Sequence, residues 1–360
     1  MISKEILVIY PQVTQTKLAV YRNINVIFLK TIKHKEEDLA KFDHIMDQVS
    51  FRTSAIFAEL TENDLNLDAM EVVVARGGLV KPLKVAGVYE VNDLMIEDLE
   101  KGYQGIHETN MGGIIAYHIA KTLKNARAFL ADPVVVDELD DIARVTGHPE
   151  FERKSIFHAL NHKYIARKYA KSNNNCYYDM RLIVAHMGSG GISIGAHKEG
   201  KVVDVNQAFD GAGPFSLTRT GTLPTGKLVD ICFSGKYTKE EIMKMITKEG
   251  GISAHLGTSN IHEIFERIDA GEEKAKFFIE AMAYNVAKHI GSMAAVLDFN
   301  VDAILLSGSI LNYSLFTDYL SKKIKTIAPI SLFPTVNDMD ALAMNSYLAL
   351  KGEIDVNEYK

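Results

Sequence analysis

One strand cadence occurs twice in this chain. Three short apolar runs, residues 6–10, 17–21 and 25–29, follow one another with tight breaks, and the pattern returns at residues 182–186, 191–195 and 201–204. Runs of this length bounded by turn residues read as buried strands, and the breaks at 22–24 and 198–200 read as hairpin turns. A group of three strands opening each half is the mark of a duplicated fold, although two unrelated β-meanders would leave the same trace. Length agrees: 360 residues exceed what one hydrophobic core organises and predict two domains.

Between and after the strand groups the periodicity turns helical. Helices are expected at 36–49, 63–67, 112–123, 138–145 and 150–170, then at 228–233, 239–248, 262–268, 272–299 and 338–351. Strands are expected at 71–75, 127–131 and 303–306, with Asp132-Pro133 stopping the second of these, because proline cannot donate to a ladder. Strands alternating with helices predict an α/β fold with both sheet faces covered.

No run of apolar residues reaches bilayer length, so a membrane-spanning chain is excluded. A formal charge of −6 gives no global pull toward nucleic acid or an anionic membrane surface, so any bound anion must be held locally. The two cysteines, Cys176 and Cys232, have no metal or redox spacing and are expected to be buried or inert, as in a reducing compartment. The first residues lack a basic segment followed by an apolar one, which predicts a cytoplasmic protein.

Glycine marks the expected anion sites. Nine of the 25 glycines fall between His186 and Gly226, including Gly188, Gly190 and Gly191 beside Ser189, and Gly211, Gly213 and Gly221 after Asp210. Glycine lets successive backbone amides form a concave nest for phosphate, though hairpins use it as well. Neither run is a Walker loop. Arg219 lies in the second run, and a planar guanidinium can grip two oxygens of a phosphoryl group; the plain alternative is a surface arginine. Gly308-Ser309 follows an apolar strand and suits a nucleotide base or a simple turn. Arg76 follows the strand at 71–75, where open α/β sheets bind ligands. His158 and His162 stand four apart on one helical face, a spacing that favours phosphate donation over zinc because no acidic partner follows. Asp132 and Asp204 end strands and could hold a cation or cap turns. The acidic run 137–141 reads as the first turn of a helix.

Four segments together resemble the butyrate kinases of the acetokinase family, in the superfamily of actin, sugar kinases and Hsp70: residues 132–139, 155–161, 184–188 and 210–216. The resemblance runs over nearly the whole chain. It implies two ribonuclease-H-like (actin-like ATPase) domains around a central cleft, one of residues 1–133 plus 332–360 and the other of residues 134–331, and a homodimer. It implies reversible phosphoryl transfer from ATP, with Mg2+, to a short-chain carboxylate such as butyrate. By position it assigns His158 and Arg219 to the γ-phosphoryl group, Asp132 to orienting the carboxylate or the metal, Arg76 to the acyl side and Asp338 to the metal. His186, Gly188, Ser189, Gly190, Gly191, Asp210, Gly211, Gly213, Gly257, Gly308 and Ser309 fall to the nucleotide. A carboxylate is already ionised, so the reaction needs positioning and charge neutralisation more than a base.

The chain departs from that family at its opening loop. Where the family has Asn-Pro-Gly-Ser-Thr-Ser-Thr-Lys, this chain has Tyr10, Pro11, Gln12, Val13, Thr14, Gln15, Thr16 and Lys17, so Thr14, Thr16 and Lys17 are the nucleotide-side residues that remain. Beyond Gly257, Ser259, Asn260 and His262 replace a pattern that carries an aspartate and an arginine. A second reading is therefore a weakened or non-catalytic relative that keeps the fold for binding or assembly. A sugar kinase is a third, which the acyl-side segments oppose.

Overall fold

The computed structural model describes residues 4–188 and 191–360, divided into two units: the chain up to Val136 together with Asn337–Lys360, and Asp137–Val336. In the first unit the strands are β1 (Glu5–Pro11), β2 (Gln15–Arg22), β3 (Asn25–Lys33), β4 (Met70–Ala75), β5 (Val88–Glu90) and β6 (Arg127–Ala131). The second unit has β7 (Leu182–Gly188), β8 (Gly191–Lys198), β9 (Lys201–Val205), β10 (Ala303–Ser307) and β11 (Ile330–Phe333), and β12 (Val356–Asn357) belongs to the first.

The sheets are ordered β12-β5-β6-β4-β1-β2-β3 and β11-β10-β7-β8-β9. In each, an antiparallel three-strand meander continues into two parallel strands: β3-β2-β1 into β4 and β6, and β9-β8-β7 into β10 and β11. The two opening strand groups thus occupy equivalent places, and the expected duplication is met. Both expected hairpins form. Asn23 takes φ +57° in the first, while Glu199 and Gly200 both take positive φ in the second, the backbone that a two-residue turn needs to match strand twist.

The central strands are buried on both faces. On β7 and β10, Ile183, Ala185, Ile304 and Leu306 enter one core with the long helix Glu273–Val296. Their neighbours Leu182, Val184, Ala303 and Leu305 enter a second core with Ile165 and Ala166 of helix Ala159–Ser172. Each such isoleucine or leucine contributes about 1.5–3 kcal/mol by leaving water. In the first unit, helices Asn110–Thr122 and Asp338–Leu350 pack on β1, β4 and β6.

Several expectations need correction. The helix expected at 36–49 is a single turn, Glu36–Leu39, and the main helix is Val49–Glu62. Its inner face carries Val49, Arg52, Ile56 and Leu60, so a buried arginine masks the apolar stripe. Residues 63–66 form no helix, and a short turn, Leu67–Ala69, follows under an Asn66 cap. Of 138–145 only Asp141–Arg144 is helical, because Asp137 binds Arg144 and Glu138 binds Lys163. The helix expected from 150 begins at Ala159; Arg153 ties the preceding segment to Asp204 and to the carbonyls of Ala143 and Val205. Helices Asp93–Lys101, Gly251–Leu256 and Ser314–Ile324 had no counterpart in the sequence reading. Both cysteines are exposed.

Candidate active site

In the first unit β1 and β4 run parallel, with Ile9 beside Ala75, so Tyr10 and Arg76 emerge together. The Arg76 guanidinium pairs with Asp338, the first residue of the closing helix, and its Nη1 donates to the Tyr10 hydroxyl at 3.1 Å. Burial pushes the Tyr10 phenol up, but the charge and hydrogen bond of Arg76, with Lys17 across the strand pair, hold it below its ordinary value. The expected acyl-side cation and metal-side carboxylate are therefore one ion pair.

Asp132 follows β6 with φ +39° and is 1% exposed. Its amide donates to Gly87 O at 2.8 Å, and Asn345 Nδ2 donates to its Oδ2 at 3.0 Å. A non-glycine residue in that region of backbone space is strained and is held there by its surroundings. Asn345 was not foreseen; its signal is a polar residue amid Ala341, Leu342 and Ala343 on the closing helix's buried face.

The opening loop is fastened from below by Arg52, which is fully buried. Its Nη1 donates to the carbonyls of Gln12 and Gln15 and to Thr16 Oγ1, and its Nη2 to the carbonyl of Val13 at 2.8 Å. Thr16, expected on the nucleotide side, is fully buried, and its hydroxyl is taken up by Arg52 and His34 Nε2 in the interior. Thr14 is exposed and Lys17 half-buried.

In the second unit the expected residues gather at the end of β7 and β8. A Cβ on Gly188 would stand 3.3 Å from His158 Nε2, and one on Gly191 would stand 2.6 Å from Arg219 Nη1, so glycine at 191 lets that guanidinium lie against the strand. Arg219 Nη1 donates to Ala208 O at 2.5 Å, and the guanidinium lies over the Phe209 ring at 5.2 Å. Ser189 and Gly190 lie outside the described residues. His158 precedes its helix as a cap residue, so it does not share a helical face with His162; the two meet instead at Ser193, His158 Nδ1 at 2.8 Å and His162 Nε2 at 2.9 Å from its Oγ. The His186 ring lies tilted with its centroid 4.7 Å from that of His158, and its Nδ1 stands 2.8 Å from Ser307 Oγ.

The loop after β9 is held by Asn206, which accepts from Ile194 N and donates to the carbonyls of Ile192 and Ala212. Asp210 and Gly211 are exposed on it, while Gly213 packs against Asn206. Gly308, at φ +124°, lies where a side chain would strike Met187 O, and Ser309 begins the turn that follows. Gly257 ends helix Gly251–Leu256, and beyond it His262 Nδ1 lies 2.6 Å from the Tyr313 hydroxyl. Asp204 is no cation site: its carboxylate binds Arg153.

Among the described residues no three histidine, cysteine or carboxylate groups cluster as a metal cage. A magnesium ion carried by phosphates asks for only one or two protein carboxylates. Asp338 meets that need, being partly exposed on an ion pair; Asp132 is deeper and engaged by Asn345.

The acetokinase family model matches residues 149–327. Butyrate kinase 2 of Clostridium acetobutylicum is 48% identical over 356 residues, 99% of this chain and 99% of that protein. A probable butyrate kinase of Bacteroides thetaiotaomicron is 46% identical over 99% of this chain and all of its own length. The crystal structure of Porphyromonas gingivalis acetate kinase shares the fold with a TM-score of 0.78 at 16% identity, covering 96% of this chain and 100% of that one. No helix among the described residues is long and apolar enough to cross a membrane. A 48% relative matched end to end and two equivalent sheets of the actin-like kind carry one conclusion: the chain belongs to the acetokinase family of ATP-dependent carboxylate kinases.

Proposed function

We propose that this protein phosphorylates butyrate or a related short-chain acid, reversibly, giving the acyl phosphate and ADP. A carboxylate oxygen attacks the γ-phosphorus in line, the bond to the β,γ-bridging oxygen breaks, and the leaving charge stays on ADP; no proton need move. His158 and Arg219 neutralise charge on the moving phosphoryl group. Arg76 takes the acid's charge and Asp132 orients it. His186, Gly188, Gly191, Gly213, Gly308 and Ser309 line the nucleotide's path, with Lys17 and Thr14 at the opening loop. Asp338 would hold a Mg2+ ion carried by the phosphates, which would supply charge neutralisation there. The observation that carries this reading is the convergence of His158 and Arg219 on the Gly188–Gly191 end of one hairpin.

We place the enzyme in the cytoplasm, where ATP is available, and its −6 charge gives no pull toward nucleic acid or an anionic membrane. It works as a homodimer. Helix Thr225–Cys232 has no buried residue, and the segment around it exposes Val229, Ile231, Phe233 and Tyr237, an apolar surface suited to a second copy.

The test is direct. Purified protein with ATP, Mg2+ and butyrate in hydroxylamine is expected to yield butyryl hydroxamate, falling away for acids much shorter or longer. Absence of hydroxamate across acids of two to six carbons and several nucleotides would overturn the reading.

A further inference from the structure

Behind His158 runs an unbroken chain of polar groups that the reaction as described does not use. Tyr177 Oη lies 2.8 Å from His197 Nδ1, and His197 Nε2 lies 3.2 Å from His162 Nδ1. His162 Nε2 is 2.9 Å from Ser193 Oγ, and that hydroxyl is 2.8 Å from His158 Nδ1. His162, His197 and Ser193 are fully buried, and Tyr177 nearly so. The sequence singles out only His162 among the four, for its spacing from His158, and gives no sign of the chain that joins them.

The direction of this chain can be read from its chemistry. Burial keeps both inner histidines neutral, His162 held down to about 3 and His197 well below its ordinary value, with neighbouring positive groups adding to the effect. A neutral imidazole has one donor and one acceptor, so every link must point the same way. The Ser193 backbone carbonyl decides which way. It lies 3.3 Å from His162 Nε2 and can only accept, so Nε2 carries the hydrogen. His162 Nδ1 then accepts from His197 Nε2–H, and His197 Nδ1 accepts from the Tyr177 hydroxyl. Ser193 Oγ, already accepting from His162, gives its own hydrogen to His158 Nδ1. That leaves the hydrogen of a neutral His158 on Nε2, the atom that faces Gly188.

We propose that Tyr177, His197, His162 and Ser193 are positioning residues that set His158 in its Nε2–H form, so that it presents a donor, never a lone pair, to a phosphoryl oxygen. The inference rests on the role given to His158 above. A lone pair turned toward an anionic oxygen would repel it, whereas a fixed donor needs no reorganisation as charge builds. Tyr177 acts through three intervening groups and touches no substrate.

Two-bond 1H–15N correlation spectra of histidine-labelled protein without nucleotide, at a pH where the histidines are neutral, test the chain independently of turnover; His158→Gln assigns the signal. The intact protein is expected to show His158 protonated at Nε2, and Tyr177→Phe to spread His158 over both forms. In the hydroxamate assay Tyr177→Phe and Ser193→Ala should each lower kcat about 10–100-fold, as loss of an orienting partner does at other sites, with KM for ATP within about twofold. Ser193→Thr, which keeps the hydroxyl, should recover most of it and serves if Tyr177→Phe does not fold. His158 found protonated at Nδ1 in the intact protein would overturn the proposal. So would a Tyr177→Phe protein that alters the form of His158 without altering kcat. Intact protein with the expected spectrum and no hydroxamate would fail the kinase reading and, with it, the role given to the chain, while leaving its polarity standing.

Discussion

The Arg76 guanidinium lies 4.9 Å above the Tyr10 ring and donates to that ring's own hydroxyl. The two contacts hold one cation from two directions while Asp338 takes the charge. Tyr10→Phe keeps the ring beneath the cation and removes one acceptor, so kcat/KM for the acid should fall less than about tenfold. Arg76→Ala strips Asp338 of its partner and the acid of its cation, and should lower kcat/KM by about 10²–10³. Hydroxamate formation against acid concentration measures both.

Gly191 leaves the space beside which the Arg219 guanidinium lies. A methyl group there would meet Nη1 at 2.6 Å and Ala208 O at 2.9 Å, neither of which can yield without moving the guanidinium. Gly191→Ala should lower kcat about 100-fold, as an ångström of misplacement does, with thermal unfolding shifted by only a few degrees. Paired kinetics and calorimetry distinguish this from simple loss of fold.

Arg52 carries the opening loop on its fork. Arg52→Met keeps the side chain's length but leaves three loop carbonyls with no donor from it, and should destabilise the first unit by about 3–5 kcal/mol. Urea unfolding followed by circular dichroism measures the loss.

Acid should destabilise the protein before carboxylates titrate. His162 is held neutral down to about 3, against an ordinary 6.5, chiefly by burial, with coupling to His186 and the Lys163 charge adding to it. Because its folded value is depressed, the unfolded chain takes up the proton first; the stability of the neutral form is whole above pH 6.5 and drains away as pH falls toward 3. Between pH 6.5 and 5 this one residue removes about 2 kcal/mol. Unfolding midpoints in urea across that interval should show the slope, and His162→Asn should lessen it, leaving the share of other histidines that burial depresses, among them His197 and His34.

Phe233→Asp combined with Val229→Asp places charge on the exposed segment proposed for self-association. Light scattering after size exclusion should move from dimer to monomer mass, with the far-ultraviolet spectrum unchanged.

The sequence revealed the parts of this molecule that repeat or that glycine marks. Both strand meanders and their turns were legible because apolar runs of five between turn residues have few alternatives, and the Gly188–Gly191 hairpin announced itself by composition. What stayed hidden is polar and buried. Arg52 and Asn345 interrupt apolar helix faces with groups that the fold satisfies from distant residues, and no local pattern foretells a partner 213 positions away, as for Asn345 and Asp132. Thr16 shows the converse, since a loop hydroxyl in a promising position turned inward to His34 and Arg52. Ser193 and His197 alternate with apolar neighbours on a strand, which reads the same whether a hydroxyl or an imidazole serves a core or a relay.

Helix Asp338–Leu350 supplies Asp338 to Arg76 and Asn345 to Asp132 and packs on β1, β4 and β6, yet it is made only after the whole of Asp137–Val336. A ribosome adding about 5–20 residues each second therefore exposes all of Asp137–Val336 before the amino-terminal sheet receives its covering helix. Until then helix Asn110–Thr122 is the only one of the two to cover β1, β4 and β6. A chain stopped before Asn337 leaves Arg76 without its Asp338 counter-ion, so the acid site proposed above should form only once this helix has been made.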